Sequence, residues 1–123
     1  FMHGAGMDHS LWQLPARWFA WHSHSVLAID LPGHGRSQGP PLTSITGMAT
    51  WTRSLLDAAG VRRAALVGHS MGGAVSMDTA ASDPAKVKSL TLICSAGLGP
   101  EIGSYVDDYV AAQVRKDLKP VPG

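Results

Sequence analysis

The sequence predicts an α/β fold: a parallel sheet with helices packed on both faces. Two observations carry that expectation. Short apolar runs at Val26–Ile29, Ala64–Val67 and Ser89–Cys94 have the length and composition of strands buried on both sides. Segments of helical periodicity separate them, so the order reads strand, helix, strand, helix, strand, helix, strand, helix. Right-handed crossovers then place every strand's carboxyl end on one edge, where chemistry collects in such sheets.

Phe1-Met2 reads as the stump of a strand that ends at His3-Gly4-Ala5-Gly6. Ser10 is the expected cap of a helix over about Leu11 to Trp21, with Leu11, Leu14, Trp18 and Phe19 on one face. Pro15 sits near its start, where proline is tolerated. After the Val26 strand, a glycine- and proline-rich loop runs from Asp30 to Pro41. Thr43 or Ser44 opens the next helix, which keeps Ile45, Met48, Thr52, Leu55, Leu56 and Ala59 at helical spacing and stops at Gly60. The Ala64 strand leads into a helix from Met71 to about Ser82, closed by Asp83-Pro84. The Ser89–Cys94 strand follows, then a loop, then a weaker helical pattern from Ile102 to Leu118.

Composition narrows the function. The chain has 123 residues, enough for one domain with a core, and a net charge of +1. No run of basic residues points to nucleic acid, and no apolar stretch reaches the ~18 residues that span a bilayer. The single Cys94 rules out an internal disulfide, which fits a cytoplasmic setting. The chain opens on Phe1 within a strand, so a segment ahead of it is expected.

The most informative stretch is Gly68-His69-Ser70-Met71-Gly72-Gly73. A strand runs into a sharp turn with a serine at its tip and a helix directly behind. In the G-x-S-x-G spacing, small residues two positions either side let strand and helix approach closely, and the serine hydroxyl is pushed outward. Ser70 is the candidate nucleophile, with Gly68, His69 and Gly72 completing the elbow. A plain helix-capping serine would not require both glycines. All six histidines, at 3, 9, 22, 24, 34 and 69, precede Ser70. His69 adjoins the nucleophile, and adjacent side chains on a sharp turn diverge, so it is not the expected base.

Two companion motifs follow strands in the same chain: His3-Gly4-Ala5-Gly6, and Asp30-Leu31-Pro32-Gly33-His34-Gly35-Arg36-Ser37. With all three in order, the chain resembles the α/β-hydrolase superfamily over essentially its whole length. That resemblance implies a Ser70 nucleophile, with backbone N–H groups of Ala5 and Met71 forming the oxyanion hole. It implies a loop-orienting role for His3 and turn-stabilising roles for Asp30, His34 and Arg36. It also implies an acid and then a histidine after Ser70. Asp78 and Asp83 sit on or after the nucleophile helix and point away, and Asp107, Asp108 and Asp117 read as a solvated helix face; Glu101 follows the last strand, where some relatives place their acid.

By the same resemblance the chain reads as a partial α/β-hydrolase domain, truncated at both ends, with residues from about 102 to 123 starting a lid segment. The stretch Ala96 to Ile102 also resembles the hydrolase-like acyltransferase component of acetoin-cleaving complexes. The expected activity is that of a serine hydrolase, an esterase or related C–C hydrolase, acting through an acyl-enzyme on small-molecule carboxylic esters or related carbonyl substrates, with no metal or organic cofactor. Acyl transfer to a thiol or alcohol by the same serine is the alternative, and a non-catalytic hydrolase-like fragment is the third reading. Substrate identity and oligomeric state are not set by these residues.

Overall fold

The computed structural model of this chain describes residues 1–98. The elements are a 3-10 turn at His9–Trp12, α1 (Gln13–Trp21), α2 (Ile45–Ala58), β1 (Ala64–His69), α3 (Met71–Ser82), a 3-10 turn at Pro84–Lys86 and β2 (Val87–Ile93). The expected helix and lid start over 102–123 lie outside the described residues.

β1 and β2 pair in parallel, from Ala64 opposite Val87 to His69 opposite Ile93, with one irregularity between Ala64 and Ala65. Met2 extends this sheet on its other side, bridging in parallel to both Gly68 and Ile29. Met2 N–H donates to Val67 O at 2.8 Å and His69 N–H to Met2 O at 3.1 Å. The spatial order is therefore Ile29, Met2, β1, β2. The strand expected at Val26–Ile29 is reduced to its last residue, because its neighbour Phe1-Met2 offers a single bridging position.

α2 and α3 form where expected, for local reasons. Ser44 caps α2, its Oγ accepting from Gly47 N–H at 3.0 Å, and Gly60 beyond its end takes φ +69°. α3 packs on β1 and β2, and α2 packs on α3. Met2, Leu31, Met48, Ala49, Leu66 and Val75 form the core. Thr52, Ser76 and Thr79 are buried among them, each hydroxyl bonding the carbonyl four residues back at 2.7–2.8 Å.

α1 departs from the sequence reading in two ways. Its first turn is a separate 3-10 segment capped by Asp8, whose carboxylate accepts from Ser10 N–H at 2.8 Å, so Ser10 is not the cap. The expected inward face is exposed: Leu14 is 77% and Trp18 55% accessible, and the buried residue is Trp12. Phe1 explains the difference, since its ring meets Trp12 at 5.0 Å and Phe19 at 5.8 Å between centroids. The helix is anchored along its edge by that aromatic trio rather than by its apolar stripe.

Candidate active site

Three chain segments meet at the carboxyl end of the sheet. The first is the elbow. Ser70 takes φ 52° and ψ −117°, a left-handed backbone that costs of order 1–3 kcal/mol for a residue with a Cβ. The surroundings hold it there: Ser70 N–H donates to Ile93 O at 3.0 Å, and Ser70 O accepts from Gly73 N–H and Ala96 N–H, each at 3.0 Å. The two elbow glycines are sterically required. A Cβ on Gly68 would overlap the Gly72 carbonyl, and one on Gly72 would overlap the carbonyl oxygens of Met2 and His3. Gly73 is similarly pressed against Ser95, which lies buried beyond β2.

The second segment is the His3–Gly6 loop. His3 is fully buried. Its Nε2 accepts from Leu31 N–H at 3.0 Å, which leaves Nδ1 to carry the proton and donate to Gly4 O at 2.8 Å. Burial first, with His34 adding to it, holds the His3 pKa below the ordinary histidine value. Gly4 O also accepts from Met7 N–H at 3.2 Å. The Gly4 carbonyl and the Ala5 N–H belong to one trans peptide unit and point in opposite directions. Holding the oxygen therefore restricts the direction of the Ala5 N–H without fixing it. Gly4 itself stands against the elbow, since a Cβ built on it would fall 3.2 Å from Ser70 Cβ.

The third segment is the loop after Ile29. Asp30, with its side chain 7% exposed, organises it. Its carboxylate accepts from Arg36 N–H at 2.8 Å, His9 N–H at 2.6 Å and the His9 ring at 2.9 Å, while Asp30 O accepts from Ser37 Oγ. Burial opposes ionisation, but those hydrogen bonds win and the pKa lies below the ordinary carboxylate value. The turn-stabilising roles expected of Asp30 and Arg36 match this arrangement. Asp8, His9 and Asp30 cluster closely enough to share a cation, yet Asp30 is already satisfied by protein donors.

The structure thus brings together Ser70, Met71 at the start of α3, Gly4-Ala5, and the Gly68/Gly72 pair. Among the described residues, neither Ala5 N–H nor Met71 N–H donates a hydrogen bond, and no side chain bonds Ser70 Oγ. His69 stays beside Gly4 rather than reaching Ser70 Oγ. Asp78 accepts from Ser82 within α3. Sequence reading missed the tie between His9 and Asp30, which are 21 residues apart and carry no spacing signal. Among the described residues no helix is long and apolar enough to cross a membrane.

A family model described as the alpha/beta hydrolase family matches residues 1–122. The sequence is 40% identical over 124 residues to the dihydrolipoyllysine-residue acetyltransferase component of the acetoin cleaving system of Cupriavidus necator, covering 98% of this chain and 33% of that protein. Among solved structures it is similar to Est816, described as an N-acyl homoserine lactone degrading enzyme. That match has a TM-score of 0.73 and 33% identity, over 91% of this chain and 46% of the other. The epoxide hydrolase CorEH superposes with a TM-score of 0.72 at 25% identity, over 95% of this chain and 47% of the other. The chain spans about a third of the length of the curated relatives it matches.

Proposed function

This chain belongs to the alpha/beta hydrolase family, and from that premise we propose that it carries the nucleophile and oxyanion hole of a serine hydrolase acting on small carboxylic esters or related acyl compounds. The observation that carries the reading is Ser70, held at φ 52° between β1 and α3 with Gly4 against its Cβ. Nothing about helix capping requires such strain, and strained residues concentrate where chemistry needs them.

In the proposed reaction Ser70 Oγ attacks the substrate carbonyl carbon. Its proton passes to a histidine supplied from outside the described residues. The carbonyl oxygen becomes an oxyanion and accepts hydrogen bonds from Ala5 N–H and Met71 N–H, the latter at the positive end of α3. The carbon–oxygen bond to the leaving alcohol breaks, the alcohol takes the proton, and an acyl-Ser70 ester remains. Water attacks that ester and releases the acid. No metal or organic cofactor has a part in these steps. A cytoplasmic setting belongs to the same reading, resting on the lone unpaired Cys94.

A second reading shares the acyl-enzyme and sends it to a thiol. The similarity to the acetyltransferase component of the acetoin cleaving system favours it. One experiment addresses both. The whole protein is treated with p-nitrophenyl acetate and with a fluorophosphonate, and the labelled peptide is identified by mass. Acylation or phosphonylation of Ser70, abolished in Ser70→Ala, is the expected result. A Ser70→Ala protein with unchanged turnover overturns the nucleophile assignment. Adding dihydrolipoamide then separates the two readings: thioester product means transfer, and free acid alone means hydrolysis.

A further inference from the structure

His69 holds a feature that the proposed steps do not use. Its Nδ1 is buried and has no hydrogen-bond partner among the described residues. Buried polar atoms without partners are uncommon and call for a reason. The ring also occupies a particular place. A Cβ built on Gly4 would lie 3.0 Å from His69 Nδ1, 3.2 Å from Ser70 Cβ and 3.4 Å from Met7 Sδ. His69 Nδ1 therefore stands beside the Gly4 α-carbon, leaving less room than a methyl group needs.

The backbone on either side of this contact is fixed. His69 N–H is bonded to Met2 O, and Gly72 stands against the Met2 and His3 carbonyls, so elbow and strand stump cannot slide past each other. Among the described residues, the hydrogen bonds that hold the Gly4-Ala5 peptide run through the Gly4 carbonyl, from His3 Nδ1 and Met7 N–H. A peptide unit gripped at its oxygen alone can still pivot. The His69 ring stops that pivot by bearing on Gly4 from the elbow side.

We propose that His69 is a positioning residue that sets the separation between the Gly4-Ala5 loop and Ser70, and so the aim of the Ala5 N–H. It acts by shape, through Gly4, and not as a base. The unpartnered Nδ1 is then the consequence of using the imidazole as a spacer beside the Gly4 α-carbon. This inference rests on the oxyanion role proposed for Ala5.

The test is a coupling measurement on the whole protein with p-nitrophenyl acetate, with folding checked by thermal melting. His69→Ala is expected to lower kcat about 10- to 100-fold, less than or equal to the loss of one oxyanion donor, with KM changed less than about threefold. His69→Asn, which sets an amide atom near the Nδ1 position, is expected to restore most of that loss. Gly4→Ala adds a methyl where His69 stands and should be severely impaired, and combining it with His69→Ala should relieve part of the damage. The double variant is then at least about tenfold more active than the product of the single losses predicts. Losses that simply multiply, or a His69→Ala change confined to melting temperature, overturn the proposal. If Gly4→Ala does not fold, the kcat-against-KM split and the asparagine rescue decide alone. Ser70→Ala separates the two levels. Inactivity there with multiplicative losses removes only the role of His69, whereas full activity there removes the proposed mechanism and this inference with it.

Discussion

Leu31 N–H donates to His3 Nε2 at 3.0 Å in a fully buried contact that joins the first loop of the site to the second. Because Nε2 must accept, the ring must be neutral, and a proton added there removes the bond. The His3 pKa is accordingly depressed, chiefly by burial. The sign follows directly. Above the ordinary histidine value of 6.5 both folded and unfolded chains hold a neutral ring, and the full contribution to stability is present. As pH falls below that value the unfolded chain takes up the proton first, so stability declines until the lower folded-state value is passed. Thermal melts between pH 5 and 7.5 (roughly the span over which histidines titrate) are expected to show this decline. His3→Ala should be less stable throughout and show a shallower pH response. Equal slopes in the two proteins would remove His3 as the source.

Asp30 is the acceptor for two backbone donors on different loops, Arg36 N–H and His9 N–H. Asp30→Ala removes the acceptor from both; the exposed Arg36 N–H can turn to water, so a cost of about 1–3 kcal/mol is set chiefly by the part-buried His9 N–H. Urea unfolding should show a loss in that range, with Asp30→Asn recovering part because one amide oxygen remains. Since the carboxylate pKa is lowered in the folded state, the contribution is present above the ordinary value of 3.8 and fades as pH falls through the lower folded-state value. A wild-type midpoint matched by Asp30→Ala would show that these bonds carry no net stability.

Gly72→Ala is expected to destabilise the protein by about 1–3 kcal/mol or more, the range for overpacking a close contact. The added methyl has only backbone to meet, the carbonyls of Met2 and His3, and neither can rotate away. Gly39→Ala serves as the comparison: nothing lies within 4 Å of its Cβ, although φ +92° keeps it from being neutral. Chemical denaturation of the pair checks the ranking, and a milder effect at Gly72 than at Gly39 contradicts the steric account.

The 123-residue chain produced by itself is expected to give no ester turnover above background. No histidine follows Ser70 in its sequence, and no described side chain bonds Ser70 Oγ. Loss of a serine nucleophile's base costs on the order of a million-fold. The same preparation is expected to self-associate, because Leu14, Trp18, Trp21, Leu90 and Ile93 are exposed and, among the described residues, β2 pairs on one side only. A monomer on size-exclusion chromatography, or turnover that disappears with Ser70→Ala, contradicts one half of this expectation or the other.

What the sequence disclosed follows from how local the physics is. The elbow is legible because Gly68 answers a clash with Gly72 and Gly73 a few residues along the chain, whereas the clash at Gly72 is with the distant Met2 and His3 carbonyls and shows in the sequence only as spacing; α2 is legible because Ser44, its apolar spacing and Gly60 lie within or beside one helix. The Val26–Ile29 run looked like a full strand because its composition is right, but a strand's extent is set by its partner, and Met2 gives it one bridge. The apolar face of α1, with Leu14 and Trp18, suggests an inward stripe, yet the helix is anchored through Phe1, a contact that no periodicity encodes. The position of His69 against Gly4 was equally hidden, since it arises where two distant segments cross.

Met2 also carries a kinetic consequence. The β1–α3–β2 unit is contiguous in sequence, so the elbow can assemble early from near neighbours. Met2 reaches Gly68 only by closing a loop across most of the described chain, and such closures come late because their entropy must be overcome before the contact forms. During synthesis the Gly4 loop leaves the ribosome well before the strand it needs. On contact order the serine turn is expected to form ahead of the amide that faces it, so that the two sides of the site are completed in the reverse of their order along the chain.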